Sequence, residues 1–357
     1  MKTDKIKLAV LGAGTILDAY APAFAANDDR CEVVAVAVSD KTRKAAHIRE
    51  KLGDKVEIYE GWQTLVDNAD FDAAIINLPH DLHAEATEAV AGAKKHVLCE
   101  KVMARNVAEC RRMIDACKQN GVSLVIGHNR RYEADWVSLK ELIDSGKLGK
   151  ILFYKLEHNQ NVIFPKDNWV FESERLGGGA IMSCLTHEID ALRWFGGETD
   201  TVTCMSTVLP ERMQGECIGA VTAMMKSGAL ALLSINWTTT SHRTKNGLWY
   251  ELIHVCGTEG EAYYLTGRGT NYKIHGASDK AIFEYALPET DVAFERILPG
   301  TGLPSHTVMV MEWLKFLRGE PNKVCTFGED SIHTVEVAQA AYISRDTGTF
   351  AKLPLSL

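Results

Sequence analysis

Leu8-Ala9-Val10-Leu11-Gly12-Ala13-Gly14-Thr15-Ile16-Leu17 sets the fold class of this chain. Its apolar opening reads as a short strand buried on both faces, its glycines as a tight turn, and Thr15-Ile16-Leu17 as the start of a helix. Those residue types suit a pyrophosphate cradle. Gly12 permits the turn, Gly14 lets the backbone approach the phosphates, and the backbone at Thr15 and Ile16 offers N–H groups at the positive end of the helix. Leu17 stands where the usual fingerprint has a third glycine, and a branched side chain there presses on the helix–strand contact. A bare glycine turn occurs in many proteins that bind no nucleotide. Its position on the first strand of a βαβ run is what turns the reading toward a dinucleotide.

On either side of the turn, short apolar strands are expected at 7–11, 32–38, 73–77, 96–99 and 123–126, with helical runs between them. The clearest helix covers 107–119, where Val107, Cys110, Met113, Ile114 and Cys117 recur at helical spacing before Asn120-Gly121 stops it. This half reads as α/β, a Rossmann dinucleotide-binding domain over 1–127. After Gly127 the texture changes to longer β-prone runs at 152–157, 219–225, 229–237 and 251–256, and then to helices at 306–317 and 329–345. That pattern predicts an α+β domain with a mostly antiparallel sheet over 128–357, assigned to substrate binding and oligomerisation. The length of 357 residues fits two domains.

At the end of the second strand, Val38-Ser39-Asp40-Lys41-Thr42-Arg43 holds the residues expected to meet the adenosine ribose. Asp40 suits a ribose diol and NAD, or serves simply as the N-cap of the next helix. Ser39 with Lys41 or Arg43 suits a 2′-phosphate and NADP. The sequence leaves NAD and NADP both open.

Composition narrows the partners. No stretch approaches the roughly 20 uninterrupted apolar residues of a membrane span, and the first residues run directly into a strand without a secretion signal. Nine cysteines, an odd number without a CxxC pair, suit reduced thiols in a cytoplasmic protein, without a zinc site. A net charge of −8 leaves no basic field for nucleic acid, so a small molecule is the expected partner.

Lys95-His96-Val97-Leu98-Cys99-Glu100-Lys101 resembles the GKHVLCEKP segment of the glucose–fructose oxidoreductase, inositol dehydrogenase and rhizopine catabolism (Gfo/Idh/MocA) family. Pro79 and His83 resemble its TPxxxH turn, and Gly127-His128-Asn129-Arg130-Arg131-Tyr132 is similar to its GxxxRF/Y segment. Gly178-Gly179-Ala180-Ile181-Met182-Ser183-Cys184-Leu185-Thr186-His187-Glu188-Ile189-Asp190 resembles GGxxxDxGxHxxD, and these ordered motifs cover nearly the whole chain. The resemblance implies a large open sheet in the second domain. It also implies hydride transfer between NAD(P) and a secondary alcohol or ketone of a sugar, cyclitol or glycoside.

Oxidising such an alcohol removes a hydroxyl proton while hydride leaves the same carbon, so a proton-handling group must reach that oxygen. Lys101 and His187 are the catalytic candidates. His187 lies three residues before Asp190, one helical turn away, so the carboxylate can orient the ring. The resemblance adds Pro79, His83, Glu100 and Lys101 to the cofactor side, and Arg131, Asn159, Trp169, Ser183 and Trp237 to the substrate side. Two ligand-type residues without a third at recognisable spacing argue against a metal.

Two departures stand out. Ser183 replaces the family's aspartate and cannot carry its charge, and Val102 replaces the proline after Glu-Lys, which frees the backbone there. The first keeps open a redox-neutral reaction, an elimination, epimerisation or glycosidic cleavage with the cofactor recycled in place. A non-catalytic dinucleotide sensor is the remaining alternative, against which the retained Lys101 and His187 argue. An open mixed sheet needs its second face covered, so a homodimer or homotetramer is expected.

Overall fold

β1 (Ile6–Leu11) runs through the middle of a six-stranded parallel sheet in the computed structural model, which describes residues 5–239, 249–275, 295–296 and 302–356. Its companions are β2 (Cys31–Val38), β3 (Glu57–Glu60), β4 (Ala73–Ile76), β5 (His96–Cys99) and β6 (Leu124–Ile126), in the order β3-β2-β1-β4-β5-β6. Leu8, Ala9, Val10 and Leu11 are fully buried, as a central strand with both faces covered requires. The strand order reverses between β1 and β4, so the chain diverges at their carboxyl ends and leaves a crevice, the usual nucleotide position in such sheets. β3 was not legible in the sequence. It is an edge strand, Glu57-Ile58-Tyr59-Glu60, in which only Ile58 is buried, so it carries no apolar run.

The expected division at 127/128 is a single cut, whereas the compact units are interleaved. Met1–Tyr132 folds with Asp167–Gly178 and Leu303–Glu336, and Glu133–Lys166 folds with Gly179–Gly302 and Val337–Leu357. The cause in the first unit is hydrophobic. Met309, Val310, Trp313 and Leu314 of the helix Ser305–Leu317 are fully buried in the same core as Leu17, Tyr20 and Phe24 of the helix Leu17–Ala25. Burying four such side chains contributes on the order of 6–12 kcal/mol, enough to recruit a distant segment.

The second unit holds β7 (Ile151–Gln160), β8 (Thr199–Val208), β9 (Glu216–Met225), β10 (Leu230–Asn236), β11 (Trp249–Gly257), β12 (Gly260–Leu265), β13 (Gly269–Ile274), β14 (Glu295–Arg296) and β15 (Ala351–Lys352). They form one sheet in the order β14-β13-β12-β11-β7-β10-β9-β8-β15. Only β7 and β10 run parallel, so the expected mostly antiparallel character holds. β11 alternates buried and half-buried residues along its length. One face of the sheet packs against helices Ala134–Asp144 and Thr186–Gly196, and the other is more open. Among the described residues no helix is long and apolar enough to cross a membrane.

Candidate active site

In the first unit the glycine turn has the geometry its sequence demands. Gly12 has φ +99°, its N–H donates to the Ala37 carbonyl at 2.9 Å, and a methyl group on it would lie 2.5 Å from the Asn77 carbonyl oxygen. Only glycine fits. A methyl at Gly14 would meet no atom within 4 Å, Gly14 and Thr15 are exposed, and the helix Leu17–Ala25 has no side-chain cap. Leu17, in place of the third glycine, is fully buried in the core.

Asn77, directly after β4, was missed in the sequence. Its side-chain oxygen and nitrogen are both buried and have no hydrogen-bond partner among the described residues. An unsatisfied buried amide costs roughly 1–3 kcal/mol, and Asn77 carries it at the carboxyl edge of the sheet, where its backbone carbonyl lies against Gly12. This orphaned amide, the uncapped helix end and the open turn fit a dinucleotide. Asn77's place at the end of a central strand was the available signal. Asp40 caps the helix Lys41–Leu52, accepting from the Arg43 N–H at 2.9 Å, while its side chain stays about half exposed beside the exposed Ser39.

The turns after β4 and β5 are tied together by His83. Its ring is fully buried, with Nε2 2.8 Å from the Leu78 carbonyl and Nδ1 2.9 Å from that of Val102. Burial pushes its pKa down, against the pull of those carbonyls. His83 therefore fixes backbone, with Pro79 leading into its turn. Glu100 is buried and committed at both oxygens, accepting from the Tyr20 hydroxyl at 2.7 Å and the Lys101 N–H at 3.1 Å. That carboxylate sets where Lys101 leaves the sheet. Lys101 itself is partly exposed, and its peptide bond to Val102 is cis although the next residue is not proline.

Two sequence candidates in this unit are held by protein groups. The Arg131 guanidinium is buried against Asp330 at 2.7 Å and donates to the Cys325 carbonyl at 3.1 Å, a structural clamp on the returning segment. Trp169 packs edge-on against the buried His80 ring at 4.9 Å, whose pKa burial holds well below the usual value.

In the second unit the glycine-rich stretch is pinned by residues the sequence did not single out. A methyl on Gly179 would lie 2.4 Å from the Glu216 backbone, so glycine is required there too. The Tyr342 hydroxyl accepts from the N–H groups of Gly179 at 3.1 Å and Met182 at 3.2 Å, and donates to Glu216 at 2.8 Å. The same Glu216 oxygen accepts from the Ile181 N–H at 3.0 Å. Burial pushes the Glu216 carboxyl up while these donors oppose the shift. Glu216 and Tyr342 come from β9 and the C-terminal helix, distant in sequence and without a shared motif.

This anchor holds a π-helical turn, Ile181–Leu185, that feeds the helix Thr186–Gly196. Such turns recur at functional sites. Ser183 on the turn and His187 in the helix are partly exposed, whereas Asp190 is buried. Near the His187 ring lies His158 of β7, almost parallel at 9° with centroids 6.4 Å apart. His158 faces Glu188 at 3.2 Å and Glu251 at 3.5 Å, both fully buried. Burial alone lowers the His158 pKa, but the two carboxylates outweigh it and hold it at about 9.

The sheet separates the remaining candidates. Asn159 is next after His158 and so points to the opposite face of β7, away from the helix bearing His187. Trp237 is buried against Phe164, with an indole N–H that has no partner among the described residues.

Two family models match this chain. The GFO_IDH_MocA model, "Oxidoreductase family, NAD-binding Rossmann fold", covers residues 6–128, and "GFO/IDH/MocA C-terminal domain" covers 136–263, together more than half of the sequence. The chain belongs to the GFO/IDH/MocA family. It is accordingly an oxidoreductase on an NAD-binding Rossmann fold. It is 29% identical over 264 residues to myo-inositol 2-dehydrogenase of Thermotoga maritima, covering 72% of this chain and 75% of that protein. Similarity to 1,5-anhydro-D-fructose reductase of Ensifer adhaerens is 27% over 342 residues, 91% of this chain and 92% of the relative. Among solved structures, aldose-aldose oxidoreductase from Caulobacter crescentus superposes with a TM-score of 0.82 at 23% identity, covering 98% of this chain and all of that one. That last likeness is one of fold.

Proposed function

We propose that this GFO/IDH/MocA member moves hydride between NAD(P) and a secondary alcohol or ketone of a sugar, cyclitol or glycoside, with Lys101 and His187 handling the proton. The carrying observation is Glu100, which fixes Lys101 at the carboxyl edge of the sheet that also carries the Gly12 turn. The cofactor supplies the hydride acceptor or donor. Lys101 hydrogen-bonds the reacting oxygen, and His187 takes its proton during oxidation and returns it during reduction. Ser183 contributes a neutral hydrogen bond. Gly12, Gly14, Thr15, Ile16 and Asn77 hold the dinucleotide, with Asp40 or Ser39 at its ribose. The names of the inositol dehydrogenase and the anhydrofructose reductase support the substrate class.

The test is purified protein with NAD or NADP and a panel of inositols, anhydrohexitols and keto-sugars, monitored by nicotinamide absorbance. Turnover that disappears in Lys101→Ala and His187→Ala supports the assignment. Turnover indifferent to both removes it.

Ser183 favours a second reading, in which the cofactor is reduced and reoxidised within one cycle. Product formed without accumulation of reduced nicotinamide marks that course.

We also propose a homo-oligomer formed through the open sheet face. Met205, Met224, Leu230 and Leu232 share that face by register and are 82%, 40%, 38% and 39% exposed, an apolar surface suited to a second copy. A concentration-independent monomer mass by light scattering overturns this. Nine free thiols, six of them buried, support a reducing compartment such as the cytoplasm.

A further inference from the structure

We infer that His254, Cys256 and Glu261 form a binding site for a Zn²⁺-class transition-metal ion on the open face of β11 and β12. The strand period of two puts His254 and Cys256 side by side, and the antiparallel register sets Glu261 directly opposite Cys256. Glu261 Oε2 lies 2.9 Å from His254 Nε2, Cys256 Sγ lies 3.2 Å from the same nitrogen, and all three donors fall within 4.8 Å of one another.

A tetrahedral zinc with bonds of about 2.0–2.3 Å holds its ligand atoms roughly 3.3–3.6 Å apart. The two separations from His254 Nε2 are a few tenths of an ångström shorter, as hydrogen-bonded donors are before an ion replaces the shared proton. A mixed nitrogen, sulfur and oxygen set suits zinc and its neighbours and is wrong for magnesium or calcium, which take oxygen ligands. Thiolate and carboxylate together neutralise a divalent charge.

The surroundings permit entry. All three residues are partly exposed in the single chain, so an ion reaches them before a second copy covers this face, and water completes the shell. Lys155 is the cross-strand neighbour of His254, but its ammonium is taken by Glu157 at 2.7 Å. Among the described residues the other group of suitable composition, His158 with Glu188 and Glu251, lies buried under the helix bearing His187 and reads as an ion pair. The site at His254 had no sequence signature, because two ligands two residues apart gain their third only from the next strand.

The test uses the full chain freed of metal by chelation. Titration with Zn²⁺ by calorimetry is expected to give about one ion per chain, and Co²⁺ a thiolate-to-cobalt charge-transfer band. Cys256→Ser loses the band, and His254→Gln lowers affinity by at least about tenfold, the loss that removing even an outer-shell partner of a ligand brings. In the unaltered protein, Zn²⁺ slows alkylation of Cys256 but not of the similarly exposed Cys184 and Cys325, mapped by mass spectrometry. Absence of the charge-transfer band, binding indifferent to both substitutions, or protection of other cysteines overturns the site.

Discussion

Removing one oxygen atom, in Tyr342→Phe, takes away the anchor of the segment that presents Ser183 and His187. The hydroxyl accepts from the Gly179 and Met182 N–H groups and donates to Glu216. Phenylalanine leaves two amides without that acceptor and a buried carboxylate with one donor fewer. Each orphaned buried group costs roughly 1–3 kcal/mol, so the loss is expected at about 2–5 kcal/mol, or a fall in melting temperature of about 5–15 °C. The effect has a pH signature. Glu216 already titrates above its ordinary value, and losing a donor raises it further. A carboxyl raised on folding costs nothing below its unfolded pKa, and its penalty grows as pH rises through that value toward the folded one. The substitution is therefore more damaging at neutral pH than in acid. Urea unfolding across pH measures this, and hydrogen exchange at Gly179 and Met182 localises it. Unchanged stability together with unchanged protection of the Met182 amide would show that the hydroxyl does not hold the turn.

Gly12→Ala places a methyl 2.5 Å from the Asn77 carbonyl at φ +99°, so dinucleotide affinity should fall by at least about a hundredfold while the far-UV spectrum is retained; near-normal nucleotide binding by calorimetry refutes the cradle assignment. Tyr20→Phe removes a donor to Glu100 and is expected to lower kcat about tenfold with little change in dinucleotide Kd, since the carboxylate positions Lys101; an equal loss in both assigns Tyr20 to the cofactor pocket instead. His158 carries a folded pKa of about 9 against an ordinary 6.5, so its contribution to stability is fully present below 6.5 and is lost as pH rises through about 9. Denaturant midpoints measured across that window should decline in the native chain and flatten in His158→Gln, and parallel slopes in the two proteins dismiss the buried ion pair.

The chain's own order of residues determined a good deal. The continuous apolar runs of β1, β2, β4 and β5 are what strands buried on both faces must be, and the Gly12 turn comes from a conformation only glycine takes easily. Lys101 and His187 are proposed from local motifs in their flanking residues, and a motif survives in one dimension. β3 was hidden because an edge strand buries little. Asn77 was read only as the end of a strand, since nothing local reveals that its amide is left unsatisfied. Packing in three dimensions settled the rest. It drew the helix Ser305–Leu317 back into the first core, committed Arg131 to Asp330, turned Asn159 to the opposite face from His158, and brought Glu216 and Tyr342 under the glycine stretch. The side of β7 that the helix bearing His187 covers decided the case of Asn159, and the others are pairings of groups far apart in sequence, selected by burial and the need to satisfy buried polar atoms. Those are properties of the packed chain, and sequence spacing does not encode them.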